Sequence, residues 1–170
     1  MHKASFDEMR KLLDVYLTGE ESLIIDVGSR EYEEGKGSYR PLVPKGYVGL
    51  DTDPGENVDI VMSTPFDIPL SSGSVDVVLC GQVLEHCLNP FRLVKEISRV
   101  LKINGMLFLV APFIQPPHYF PRDCFRFLPD GMKAIIEESG LKCLKAYIKD
   151  WVNDKGRGRS DCWGIGVKHG

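Results

Sequence analysis

The chain of 170 residues is 43% hydrophobic and 26% charged. That is the composition of one globular domain, long enough to bury about 70% of its unfolded surface without a disulfide or metal staple. It excludes a disordered, collagen-like or low-complexity chain. A net charge of −3 and a pI near 5.8 argue against a duplex-binding protein with a basic face.

The pattern opens with an amphipathic helix. Phe6, Met9, Leu12, Leu13, Tyr16 and Leu17 recur at helical spacing, Ser5-x-x-Glu8 fits a capping box, and Gly19 ends the run. Residues 23–27 (Leu-Ile-Ile-Asp-Val) form a short apolar run closed by Gly28, as expected of a strand buried in a parallel sheet. Similar runs follow at 47–50, 58–62, 75–79 and 106–111. A second helix carries Leu93, Val94, Ile97, Val100 and Leu101 on one face and is expected to stop at Asn104-Gly105. A third follows Pro129, with Met132, Ile135 and Ile136 inward and Gly140 as its stop. Runs at 141–148 and 163–168 close the chain as two further strands. The basic run 155–159 between them is expected to be a solvated hairpin loop.

Strands alternating with helices predict an α/β fold. The expected architecture is a Rossmann-like, mostly parallel sheet of about seven strands with a C-terminal antiparallel hairpin strand and helices on both faces. One stretch departs from that plan. Residues 52–57, with Pro54 and Gly55, are too few for a helical crossover, which takes a dozen or more. Either that helix is missing or 58–62 is barely a strand.

Residues 106–114 are too short an apolar stretch to span a bilayer, and residues 1–5 lack the apolar core of a secretory signal. A cytoplasmic location without a membrane partner is expected. Cys80, Cys87, Cys124, Cys143 and Cys162 form no C-x-x-C pair, so reduced thiols are expected.

Ligands of such sheets bind at the carboxyl ends of the strands, where strand order reverses. The first strand ends at Gly28 and the second at Asp51, 23 positions later. A carboxylate at that distance is placed to accept both ribose hydroxyls of a nucleoside, while Asp is also a favoured turn residue before Thr52-Asp53-Pro54-Gly55. A dinucleotide fingerprint needs G-x-G-x-x-G, and the chain reads Gly28-Ser29-Arg30-Glu31-Tyr32-Glu33. Missing glycines and nearby glutamates disfavour a pyrophosphate, and with it a nicotinamide oxidoreductase. The pattern suits a nucleoside without phosphate.

Four stretches carry a resemblance: IIDVGS (24–29), YVGLD (47–51), IPLSSGSVDVVLCGQVLEH (68–86) and NPFRLVKEISRVLKINGMLFLVAPF (89–113). In order and spacing they resemble a class I S-adenosylmethionine-dependent methyltransferase of the type 11-like kind. PPHYFPRDCFRFLPDGM (116–132) is similar to the H-x-x-P-x-D-Y-x-R-F segment of a bacterial-type subgroup whose members often accompany glycan or small-molecule pathways. The match covers about 120 of the 170 residues. It implies one methyltransferase domain over 1–170. Its parts are an N-terminal helix (5–18), a cofactor-binding core (22–113), a substrate-side loop (112–129) and a C-terminal helix and strands (130–170).

The resemblance implies S-adenosyl-L-methionine as cofactor. Asp26, Gly28 and Ser29 would approach its methionine part, and Asp51 would hold the ribose, with Leu50 and Thr52 beside the adenosine. Thr64, Pro65 and Phe66 would meet adenine, Phe66 through its backbone N–H. Cys80, Gly81 and Gln82 would lie beneath the sulfonium, with Glu85 and His86 opening the next helix. Arg30 stands in place of the family's second glycine, Thr64 where an acidic residue is common, and Cys124 where the subgroup has an aromatic.

The implied reaction is in-line methyl transfer to O or N of a small-molecule or glycan acceptor. His86, His118 and Asp123 are the catalytic candidates for general-base work. Each has a plainer reading: His86 as a partner of a neighbouring loop, and Arg122, Asp123 and Arg126 as ion pairs fastening the segment 112–129. That segment holds five of the 11 prolines. His86, His118 and Asp123 also make a two-His-one-carboxylate set, but their spacing requires no metal and none is expected. Nucleic acid is disfavoured as acceptor, since the exocyclic-amine class resembles N/D-P-P-Y where this chain has Cys80-Gly81-Gln82-Val83. Arg30 and Thr64 favour the alternative of a non-catalytic cofactor-binding or scaffold protein. The N-terminal helix, the 30–44 loop and the 112–129 segment are expected to choose the acceptor.

Overall fold

The computed structural model describes residues 3–19, 23–32, 38–43, 45–119, 121–153 and 155–170. Its elements are α1 (Lys3–Tyr16), β1 (Ile24–Val27), a 3-10 turn (Arg40–Leu42), β2 (Tyr47–Asp51), β3 (Ile60–Val61) and β4 (Val75–Gly81). There follow α2 (Pro90–Val100), β5 (Leu101–Ile114), α3 (Pro129–Glu138), β6 (Lys142–Val152) and β7 (Gly158–Val167). One seven-stranded sheet has the order β3-β2-β1-β4-β5-β7-β6. Its first five strands are parallel, and β7 is antiparallel to both β5 and β6.

Successive side chains of a strand point to opposite faces, which gives the molecule two apolar layers. Ile25, Val27, Val78, Leu107 and Leu109 meet Leu93, Val94 and Ile97 of α2 and Met132 and Ile136 of α3. Ile24, Val77, Leu79, Phe108 and Trp163 meet Met9, Leu12 and Leu13 of α1. Because both faces are covered, all four residues of β1 are buried. α3 approaches β7 so closely that a Cβ on Gly164 would stand 2.6 Å from Met132 Cγ.

Several local expectations are corrected. α1 already runs from Lys3, so Ser5 is no N-cap; its buried Oγ sits 3.2 Å from Tyr39 Oη. α2 starts at Pro90, where the Asn89 side chain accepts the Arg92 N–H, so Glu85 and His86 stand in the preceding turn rather than in a helix. It stops at Val100, short of Asn104-Gly105. Those two residues serve β5 instead. Asn104 has φ +66 and a Gly105 Cβ would lie 3.0 Å from the Asp76 carbonyl, at a register shift between β4 and β5.

No helix joins β2 to β3; the chain turns through residues 52–59, and β3 is two residues long. β6 and β7 outrun their apolar cores because they pair as a hairpin as far as Val152 and Gly158. Residues 155–157 of the basic run lie in its turn. The five cysteines are free thiols.

Candidate active site

Strand order reverses between β1 and β4, and there the carboxyl ends of β1, β2 and β4 open into a cavity of about 640 Å³. That volume suits a ligand of cofactor size. Gly28 follows β1 with φ +81, and a Cβ there would lie 2.1 Å from Val83 Cγ2. Asp51 closes β2, 8% exposed. Its carboxylate is fixed by the Arg30 N–H (3.2 Å) and the Asp53 N–H (3.1 Å). Arg30 Nη1 also pairs with Asp53 at 3.2 Å, and its guanidinium lies 5.1 Å from the Tyr32 ring centroid. Met62, Pro65 and Phe66 form the adjoining wall, and the Arg92 guanidinium lies over the Phe66 ring at 4.7 Å. At the end of β4, Gln82 takes φ +60, and its buried Nε2 has no hydrogen-bond partner.

The other end of the cavity is built by the turn after β4 and the proline-rich segment. His86 and His118 line it, their rings perpendicular (89°) with centroids 5.0 Å apart. The Glu85 carboxylate is fully buried behind them and raises the His118 pKa. His86 Nδ1 lies 2.5 Å from the Arg122 carbonyl, and the Cys124 N–H donates to the Glu85 carbonyl at 2.7 Å. Asp123 is held by Arg126 in a bidentate pair (2.5 and 2.7 Å) and accepts the His118 N–H at 2.8 Å. The guanidinium holds the Asp123 carboxyl well below the ordinary carboxylate range.

Of the residues expected at the site, the cavity brings together Gly28, Asp51, Thr52, Pro65, Phe66, Gly81, Gln82, His86 and His118. It does not include Asp26, Ser29, Leu50, Thr64, Cys80 or Asp123 among its lining residues. Asp26 faces the α1 layer, where its Oδ2 accepts the Tyr47 O–H at 2.6 Å and the Tyr39 N–H at 3.2 Å; burial pushes its carboxyl up to about 7. Ser29 Oγ donates to the Asn57 carbonyl, Leu50 and Cys80 are wholly buried, and Thr64 Oγ1 accepts the Phe66 N–H at 3.4 Å. Burial raises the Cys80 thiol pKa. In the 30–44 loop, residues 33–37 and 44 lie outside the described residues.

Sequence reasoning missed Tyr32, Met62, Gln115 and Trp151 as lining residues, and treated Glu85 only as a helix start. Gln115 falls within the 112–129 segment without being singled out there, and Trp151 lies near the end of β6, where no local motif marks it. Glu85 did carry a signal, being an acid between Leu84 and His86 in a run otherwise destined for burial.

Residues 38–109 match a family model described as a methyltransferase domain. An uncharacterized methyltransferase-like protein of Schizosaccharomyces pombe is 35% identical over 112 residues, 58% of this chain and 41% of that protein. The chain thus spans less than half the length of the first curated relatives it matches, 41% and 42%. Burkholderia thailandensis 1,6-didemethyltoxoflavin-N1-methyltransferase was solved with 1,6-didemethyltoxoflavin and S-adenosylhomocysteine. It is similar at a TM-score of 0.75 and 13% identity, over 99% of this chain and 80% of that one. A SAM-dependent methyltransferase of Methanosarcina mazei gives 0.68 at 16% identity, over 93% and 97%. The chain has the fold of SAM-dependent methyltransferases.

Proposed function

We propose that this chain is an S-adenosyl-L-methionine-dependent methyltransferase acting on O or N of a small-molecule or glycan acceptor. The observation that carries the reading is the cavity at the reversal of strand order, lined by a buried carboxylate at the end of β2 and a left-handed glycine turn after β1. The residues present fit the cofactor. Two N–H groups hold the Asp51 carboxylate in place, and its remaining lone pairs suit two ribose hydroxyls. The turn at Gly28, packed against Val83 on the cavity wall, would border the methionine part, for which the unpartnered Gln82 amide offers a donor. Pro65 and Phe66 offer an apolar wall to adenine, stiffened by Arg92. When bound, the sulfonium supplies an electrophilic methyl group.

The protein's part is to align an acceptor at the His86 and His118 end and to exclude water there. Asp123 acts as a positioning residue through the His118 backbone and the Arg126 pair. The 116–132 segment supports placing the chain in the bacterial-type subgroup. A cytoplasmic location is part of this proposal. No helix among the described residues is long and apolar enough to cross a membrane.

Calorimetric titration with S-adenosylmethionine and S-adenosylhomocysteine tests the reading. Binding on the order of micromolar is expected, weakened at least ~10-fold in Asp51→Ala by loss of hydrogen bonds to a charged group. No heat with either nucleoside, or an unchanged affinity in Asp51→Ala, overturns it. A second reading, a cofactor-binding or scaffold protein without turnover, is favoured by Arg30 in place of the family's second glycine and by Thr64 where an acidic residue is common. Binding without methyl transfer to any O or N acceptor panel would select that reading.

A further inference from the structure

The acceptor end of the cavity holds a cluster that methyl transfer alone leaves unexplained. Glu85 is fully buried, yet neither carboxylate oxygen has a hydrogen-bond partner. A buried carboxylate without donors is costly and is normally paired or coordinated to a metal. Its Oε1 lies 3.6 Å from His86 Nε2 and 3.8 Å from His118 Nε2, beyond hydrogen-bond distance from both.

The partners behind the two rings fix where their lone pairs point. His86 Nδ1 faces the Arg122 carbonyl oxygen at 2.5 Å, which can only accept, so that nitrogen carries the proton. His118 Nδ1 faces the Pro116 carbonyl at 3.4 Å and Asp123 Oδ2 at 3.6 Å, again acceptors. With its Nδ1 held by an acceptor, each imidazole turns Nε2 toward the Glu85 carboxylate. One atom from each of the three side chains falls within a 4.8 Å cluster. Three electron-rich atoms turned toward one another at the cavity wall are drawn together by a cation placed between them. A carbonyl or carboxylate behind each imidazole is the arrangement that orients histidines bound to metals.

We propose that Glu85, His86 and His118 form a site for one divalent transition-metal ion, open toward the cavity. Two imidazoles and one carboxylate suit Zn²⁺ or a first-row neighbour such as Fe²⁺, not Ca²⁺ or Mg²⁺. Ligand atoms about 2.1 Å from a tetrahedral ion stand roughly 3.4 Å apart, so small side-chain rotations close the observed spacing. Glu85 approaches from the buried side while both histidines line the cavity, so the remaining coordination positions face it. Resting on the methyltransferase reading, those positions would take an oxygen of the acceptor. An acceptor hydroxyl held there ionises more readily, its proton leaving to solvent, and becomes the better nucleophile. The metal partner of the two histidines is Glu85, in place of the Asp123 that spacing alone brings forward.

The experiment strips the protein with a chelator and titrates it with Zn²⁺ by calorimetry, and with Co²⁺ by visible absorption, in the absence of any nucleoside. One equivalent should bind on the order of micromolar or tighter, with the ligand-field bands of a nitrogen- and oxygen-bound Co²⁺. His118→Ala and Glu85→Gln should each weaken binding at least ~10-fold, while Cys124→Ser, on an exposed thiol nearby, leaves it unchanged. Circular dichroism checks that each variant folds; His118→Ala alters a loop side chain and serves if Glu85→Gln does not fold. No uptake by the unaltered protein, or uptake unchanged in His118→Ala, overturns the site. Metal uptake in a protein that binds no nucleoside would keep the site and remove the methyltransferase reading.

Discussion

Asp26 is the first aspartate after α1, and its carboxyl belongs to the layer beneath that helix rather than to the cavity. Burial raises its pKa from 3.8 to about 7, and the bonds from Tyr47 and Tyr39 offset only part of that cost. Below about pH 4 the group is protonated whether the chain is folded or not. Between the two values the folded state keeps a proton that the unfolded state has released, so stability falls as pH rises. Each unit removes about 1.4 kcal/mol, and the loss levels off above pH 7 at about 4 kcal/mol.

Asp26→Asn keeps a neutral acceptor for both donors and does not titrate. It also leaves an amide N–H₂ to satisfy, at a pH-independent cost of about 1–3 kcal/mol. The difference in stability between variant and parent should therefore move in the variant's favour by about 4 kcal/mol from pH 4 to pH 8. For a domain of this size that is a relative gain in Tm of roughly 8–16 °C. Thermal unfolding followed by circular dichroism at four pH values measures it, and groups common to both proteins cancel in the difference. A difference that stays flat with pH, or moves the other way, would refute the placement of a neutral Asp26 in the α1 layer.

Gly28→Ala should lose about 2–5 kcal/mol, from a side chain in the left-handed region and from overlap with Val83 Cγ2 at 2.1 Å. Adding Val83→Ala should recover the overlap part in a double-mutant cycle of Tm values; no coupling between the two would contradict the close approach. Arg126→Ala removes charge-assisted bonds from Asp123, whose side chain is 3% exposed, and frees the segment that carries His118. Local opening should become easier by about 1.5–3 kcal/mol, read as roughly 10–100-fold faster limited proteolysis between residues 115 and 128. Equal proteolysis rates would mean that the prolines alone fasten the loop.

Strands buried on both faces show in sequence as continuous apolar runs, which is why 24–27, 47–50 and 75–79 could be placed without a structure. Their ends pointed to the cavity lining too, because Gly28 follows β1 while Asp51 and Gly81 close β2 and β4. Asp26 misled for the complementary reason. An acid two residues before the glycine looks aimed at the ligand, but alternation along β1 turns it toward Tyr39 and Tyr47, partners supplied from distant positions. Asn104-Gly105 carries the same left-handed signal whether it stops a helix or kinks a strand. The choice was made by the close approach of Asp76, which no local window contains. Arg30 stood out as the wrong residue for a glycine position. In the structure it is a brace that ties the turn after β1 to Asp51 and Asp53.

The sheet ends in β3 on one side and β6 on the other, and the two edge strands differ in kind. On one side β3 is two residues long and offers almost no ladder for another chain to extend. On the other, β6 presents eleven residues, with Lys142, Lys145 and Lys149 spaced along it. Lys149 leans back to Glu8 at 3.5 Å and Lys145 lies over the Tyr147 ring at 4.5 Å. A strand from a neighbouring molecule would have to bury those ammonium groups to add itself there, a penalty that keeps sheet edges from sticking. The hairpin that completes the fold thus also sets a row of lysines along the longer edge of the sheet.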